Sequence, residues 1–142
     1  RFVAGSWAPT VAAWGIETRT PALRVIAGSP RTTRLENRVP GSDVNPYLAM
    51  AASLAGGLHG IARGLTPPPA VRGNAYTLPE EVAPRLPRTL DQAIERFAES
   101  ELARDWFGDM FVDDYATMRR WELERAQAAV SEWERARYFE MI

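Results

Sequence analysis

The sequence predicts an α+β fold, with antiparallel strands in the first 40 residues packed on a buried helix, followed by a helical C-terminal part. Three observations predict it. Residues 1–40 carry short apolar runs broken by turn residues. Residues 46–63 are small and apolar on nearly all sides, which describes a helix covered by its neighbours. Residues 89–138 repeat apolar positions at helical spacing between charged ones.

The strand candidates are Phe2-Val3, Val11 to Ile16, Ala22 to Ala27 and Leu35 to Val39. In the last of these, Leu35, Asn37 and Val39 alternate with Glu36 and Arg38, so the two sets face opposite ways. Glu36 and Arg38 then share a face about 7 Å apart. Such a pair is a structural ion pair or a ligand pair facing a pocket, and the pattern leaves both open. Arg19 and Arg24 are five apart, and a turn at Thr20-Pro21 would return both to one side. Gly28-Ser29-Pro30 signals a turn that leaves Arg31 to Arg34 at a loop tip.

Asn45-Pro46 opens a helix, Asn as the cap and Pro at the first helical position. Tyr47, Leu48, Met50, Leu54, Leu58 and Ile61 make it apolar all round, and His59, the single histidine, lies near its end. Residues 66–88 contain six prolines and form an ordered surface loop or a linker. Thr89 then caps a helix with Gln92 completing a capping box, and that helix runs to Trp106-Phe107 before Gly108. Asp109 caps a last helix reaching about Tyr138. Its buried side is Phe111, Tyr115, Met118, Ala126, Ala129, Val130 and Trp133, and Arg119 belongs to its wet side.

Composition bounds the function. The chain has 142 residues, 46% hydrophobic and 25% charged, as in one soluble domain with a real core. It has no cysteine, hence no disulfide framework and no thiolate metal site. A net charge of −1 gives no general attraction to nucleic acid or membrane. No run of 18 apolar residues exists and no signal-peptide pattern opens the chain, so a cytoplasmic protein is expected. Position 1 is Arg rather than Met, which reads as a piece of something longer.

All 17 basic residues are Arg, so abundance alone says nothing and placement decides. Residues 1–75 hold eight Arg against Glu17, Glu36 and Asp43; residues 76–142 are net acidic. Arg19, Arg24, Arg31, Arg34 and Arg38 crowd one stretch that contains a single acid, Glu36. Rigid guanidinium forks at this density suit a polyphosphate, and a carboxylate among them suits the accompanying metal. A bare nucleic-acid module fits poorly, because the second half is acidic.

The run Ser6-Trp7-Ala8-Pro9-Thr10, Trp14-Gly15, Arg19, Arg24, Arg34-Leu35-Glu36-Asn37-Arg38 and Asn45-Pro46-Tyr47-Leu48 resembles the C-terminal part of the glutamine synthetase catalytic domain. Gly57-Leu58-His59-Gly60-Ile61, Asn74-Ala75-Tyr76 and Tyr138-Phe139-Glu140 extend the resemblance over most of the chain. The surroundings of Trp7 and Trp14-Gly15 resemble the branch that couples glutamate to polyamines or other amines. The chain then reads as the C-terminal portion of one such domain: active-site strands and buried helix at 1–65, Pro-rich connector at 66–88, helices at 89–142.

The resemblance implies an ATP-dependent ligase that phosphorylates the γ-carboxylate of glutamate and lets ammonia or an amine attack the acyl phosphate. By position, Glu36 is a metal ligand and Arg38 faces glutamate and the phosphoryl group. Arg19 stabilises that group; Arg24, Arg34 and Arg31 lie on ATP phosphates. Arg31 stands where the family often has Lys, and Thr18 where it commonly has Asn. Implied cofactors are ATP and Mg2+ or Mn2+. Implied partners are glutamate, the amine, and further copies of the chain in a hexameric ring or dodecamer, with no nucleic acid or membrane. Glu36 alone does not hold two metals, so these residues by themselves are expected to be inactive. A silent relative serving assembly or regulation is the alternative, and the intact arginine cluster speaks against it. Tyr76 matches a tyrosine that some bacterial members modify, and otherwise reads as an exposed loop residue.

Overall fold

The computed structural model describes residues 2–141. The chain forms two compact units, Arg1–Arg88 and Thr89–Ile142. The first holds a three-stranded sheet of β1 (Trp14–Ile16), β2 (Leu23–Ile26) and β3 (Arg34–Asn37), in that spatial order, and the helix α1 (Pro46–Ala62). The second holds α2 (Leu90–Ala98), α3 (Glu101–Phe107), α4 (Asp109–Ala128) and α5 (Glu132–Tyr138).

The α+β class holds, but the sheet is mixed. β2 and β3 pair antiparallel, as expected, whereas β1 and β2 pair parallel. Parallel neighbours ordinarily need a long crossover. Here β1 is three residues, about 10 Å long, so the segment 17–22 suffices to return the chain. Glu17 opens that return at φ 54°, a left-handed conformation unusual for a side chain larger than glycine's. Gly15 is required at the crossing: a Cβ there would meet the Thr18 methyl and the Val71 carbonyl oxygen at 2.9 Å. Val11 pairs with Arg85 as an isolated bridge, and Phe2-Val3 lies outside any strand, leading into a turn closed by Ser6 N–H on the Val3 carbonyl.

The Pro-rich segment is an ordered part of the first unit. Val11, Ala75 and Ala83 form its buried centre, flanked by Ala13, Val71 and Leu78. Trp14 Nε1 donates to the Pro68 carbonyl at 2.7 Å, and Val71 N–H donates to the Trp14 carbonyl at 2.8 Å. Thr20 is the buried polar link: its hydroxyl accepts from Ala75 N–H at 2.8 Å and donates to the Gly73 carbonyl at 3.3 Å. Thr20→Val keeps the volume and strands that buried N–H. We expect a loss of about 1–3 kcal/mol, read as a lower midpoint in a denaturant melt.

α1 begins as the sequence predicts, with Asn45 Oδ1 accepting from Tyr47 and Leu48 N–H. It is not buried within these residues. Ala55 alone is fully covered, while Tyr47, Met50, Leu54, Leu58 and Ile61 are half or more exposed. An all-round apolar helix states what environment it needs; Asn37 of β3 donates its Nδ2 to the Ser53 hydroxyl of α1 at 3.1 Å. One face of the sheet is likewise open. Trp14, Leu23, Val25 and Leu35 line an apolar trough of about 680 Å3 that also takes in Val39 and Pro67.

In the second unit two expected helices become four. Ser100 caps α3 through Ala103 N–H, and Arg104 donates two bonds to the Ala98 carbonyl, so α2 ends there. Thr89 stands at the N-cap of α2 without capping it, because its hydroxyl bonds the Asp91 carboxylate and lowers that group's pKa. Asp109 is the first residue of α4, and Gly108 at φ 82° holds the cap position. The expected long last helix breaks at Ser131, which forms a capping box with Glu134. The Ser131 N–H holds the Glu134 carboxyl below its ordinary pKa. That support is present above the carboxylate's ordinary pKa and fades as pH falls through the lowered one. The covered stripe of α4 consists of buried Val112 and Ala116 with half-buried Tyr115, Arg119 and Leu123, so Phe111 and Met118 stand one position off it, while Ala126, in phase with it, is exposed. Trp133 and Val130, expected inside, are exposed, and Arg119 is half-buried with its guanidinium over the Tyr115 ring. Among the described residues, no helix is long and apolar enough to cross a membrane.

Candidate active site

The sheet register builds the site. Arg24 on β2 stands opposite Glu36 on β3, with Gly15 of β1 on its other side. Alternation puts Arg24, Glu36 and Arg34 on one face, against the apolar residues of the other. Glu36 then joins two guanidinium groups. Its Oε2 accepts from Arg24 Nη1 at 3.3 Å and its Oε1 from Arg38 Nη1 at 3.1 Å. The pair left open by the sequence is therefore formed.

Arg38 makes three side-chain hydrogen bonds. Besides Glu36, it donates Nε to the Arg19 carbonyl at 2.9 Å and Nη2 to the Trp7 carbonyl at 2.8 Å. Its side chain is 16% exposed. It thus ties β3 to the 17–22 return and to the turn at residues 4–7, where Trp7 adopts φ 61°. Thr18 and Thr20 clamp the same return from behind through the Gly73 carbonyl. Arg19 is held between them by its backbone while its side chain is exposed.

The remaining predicted residues lie further along the same stretch. Arg34 sits at the start of β3, its guanidinium on the Thr32 carbonyl at 3.1 Å. Arg31 is in the exposed turn before it. Among the described residues, Arg19, Arg31 and Arg34 have no carboxylate partner, so the stretch 17–38 holds more guanidinium groups than carboxylates. Arg24 Nε is buried without an acceptor. A surplus of forks suits an anion with several oxygens.

A metal fits less well on these residues alone. Among those described, no group of three or more His, Cys, Asp and Glu side chains gathers as a cation would require. Glu36 offers one carboxylate, already shared by two arginines.

Glu17 belongs to the site and escaped the sequence reading. Its Oε2 accepts from Arg24 Nη2 at 3.1 Å and its Oε1 from Ala27 N–H at 3.0 Å. Only the parallel β1–β2 register, which the sequence does not display, brings it there. Tyr76 differs from expectation in the other direction: it is half-buried, and its hydroxyl donates to the Ala8 carbonyl at 3.1 Å.

Comparison with known proteins names the family. The model of the glutamine synthetase catalytic domain matches residues 1–138, and the chain belongs to that family. It is 50% identical, over all of its length, to a gamma-glutamylethanolamide synthetase of Streptomyces coelicolor, of which it covers 30%. It is 43% identical to a glutamate–isopropylamine ligase of Pseudomonas sp., again over its full length and 31% of that protein. A solved structure described as "Apo GmaS without ligand" superposes with a TM-score of 0.76 at 28% identity, over 95% of this chain and 31% of that one. The chain thus spans about a third of the length of the relatives it matches.

Proposed function

We propose that the protein is an ATP-dependent ligase joining an amine or ammonia to the γ-carboxylate of glutamate through γ-glutamyl phosphate. The observation that carries this reading is the Arg24–Glu36–Arg38 row, locked to the Arg19 loop by Arg38, in a chain akin to two glutamate–amine ligases. The named products of those two relatives favour a small alkyl amine over ammonia as the acceptor.

In this reading a bound ATP supplies the phosphoryl group, which moves to a γ-carboxylate oxygen of glutamate as ADP leaves. The amine nitrogen then bonds to the acyl carbon, phosphate departs, and the nitrogen gives up a proton. The chain's own residues orient and neutralise. Arg24, Arg34 and Arg31 hold the phosphate oxygens as forks. Arg38, immobilised by three acceptors, presents itself to glutamate and the phosphoryl being transferred. Arg19, with an uncommitted guanidinium, stabilises the charge that develops on that group. Glu36 would offer one carboxylate to a divalent ion (Mg2+ or Mn2+), which would offset phosphate charge when bound. The 142 residues assayed alone are expected to be inactive. Assembly with further copies of the chain, as a hexameric ring or dodecamer, is part of the same proposal.

The test uses the product of the complete reading frame. It should release phosphate from ATP only when glutamate and an amine are both present, with isopropylamine, ethanolamine and ammonia as the first acceptors. Equal turnover without any amine, or none with every amine, would sink the reading.

A further inference from the structure

Glu17 is the one residue of the site whose backbone and side chain are both unusual. Its φ of 54° is a conformation that costs a non-glycine residue free energy and persists only where the surroundings enforce it. Its two carboxylate oxygens are both used, and on different things. One takes the Ala27 N–H at the end of β2, which fixes the carboxylate to the sheet; the other takes Arg24 Nη2. Arg24 is itself 16% exposed and leaves Nε buried without an acceptor, while its second arm reaches Glu36 at the longer distance of 3.3 Å. The guanidinium is therefore gripped from one side by a tethered carboxylate and incompletely satisfied on the other.

We propose that Glu17 is a positioning residue for Arg24. It holds the fork in the orientation that meets a nucleotide phosphate, by a charge-assisted bond that remains when the anion arrives. An arginine on a flexible stem must be ordered before it can bind bidentately, and a carboxylate anchored to a backbone amide supplies that order in advance. The strained backbone at position 17 is what turns the side chain back toward β2. This rests on the ligase reading, in that it takes Arg24 to bind a phosphate of ATP.

The experiment is calorimetric binding of ADP with Mg2+ to the complete protein and to Glu17→Gln, Arg24→Gln and the double variant. The Glu17→Gln change keeps an oxygen for the Ala27 N–H but loses the charge that grips Arg24. We expect Glu17→Gln to weaken binding by about three- to tenfold, within the range of one partly exposed charge-assisted hydrogen bond. We expect no further loss when it is added to Arg24→Gln, because Glu17 acts through Arg24. Glu17→Gly relieves the backbone and removes the carboxylate, and should weaken binding as much as Glu17→Gln while melting no lower. Unchanged binding in Glu17→Gln with weakened binding in Arg24→Gln overturns the inference and spares the ligase reading. So does a full additional loss in the double variant, or wild-type affinity in Glu17→Gly. No binding by the wild-type protein overturns both.

Discussion

Arg38→Ala should abolish glutamate-dependent phosphate release by the complete protein, by at least about a hundredfold, as expected when a positioned charge is removed from a phosphoryl-transfer site. It should also lower stability. The Arg19 carbonyl, the Trp7 carbonyl and Glu36 Oε1 each lose the donor that the structure gives them. With the Arg38 side chain 16% and that of Glu36 38% exposed, breaking this junction should cost about 1–3 kcal/mol. Arg38→Lys separates the two effects: it restores the charge and one donor direction but not the fork. We expect it to recover part of the melting temperature and little of the turnover. Equal recovery of both would make Arg38 a structural strut rather than a substrate contact.

Glu36→Ala should raise the Mg2+ or Mn2+ concentration needed for half-maximal turnover by about tenfold or more, as loss of one hard-oxygen ligand does, while subunit assembly in gel filtration stays as in the wild type. The arginines complicate its meaning. Removing Glu36 also leaves Arg24 with Glu17 alone and Arg38 with two backbone carbonyls. Glu36→Gln controls for this, since it keeps an oxygen that accepts from the arginines and weakens the ionic contacts without deleting the side chain. A metal response shifted in alanine and glutamine variants alike marks Glu36 as a ligand. An unshifted response in both removes it from that role.

Much of this is legible in the sequence for identifiable reasons. Asn45-Pro46 announces the start of α1 because the cap and the missing N–H are local chemistry. Glu36 and Arg38 fall on one face because strand alternation needs no partner to be read. What the sequence hides depends on partners distant along the chain. The direction of β1 against β2 follows from how short the strands are and how residues 17–22 turn, and neither is an apolar pattern. Glu17 is invisible for that reason. The exposure of α1 is hidden because an apolar sequence describes the cover a helix needs, not the residues that provide it. In the second unit, Ser100 and Ser131 cap new helices where hydrophobic spacing alone would have continued the old ones.

The clamp behind Arg19 has a kinetic side. Thr18 and Thr20 reach Gly73 across 55 and 53 residues of chain. Closing a loop of that length must precede the contacts that reward it, whereas helices such as α4 form from neighbours about four residues apart. The wall that would face the phosphates is therefore expected to mature after most helical structure is in place. In a refolding experiment, far-ultraviolet ellipticity should recover ahead of the fluorescence of Trp14, whose indole is docked on Pro68 only when residues 66–77 have come back to the sheet.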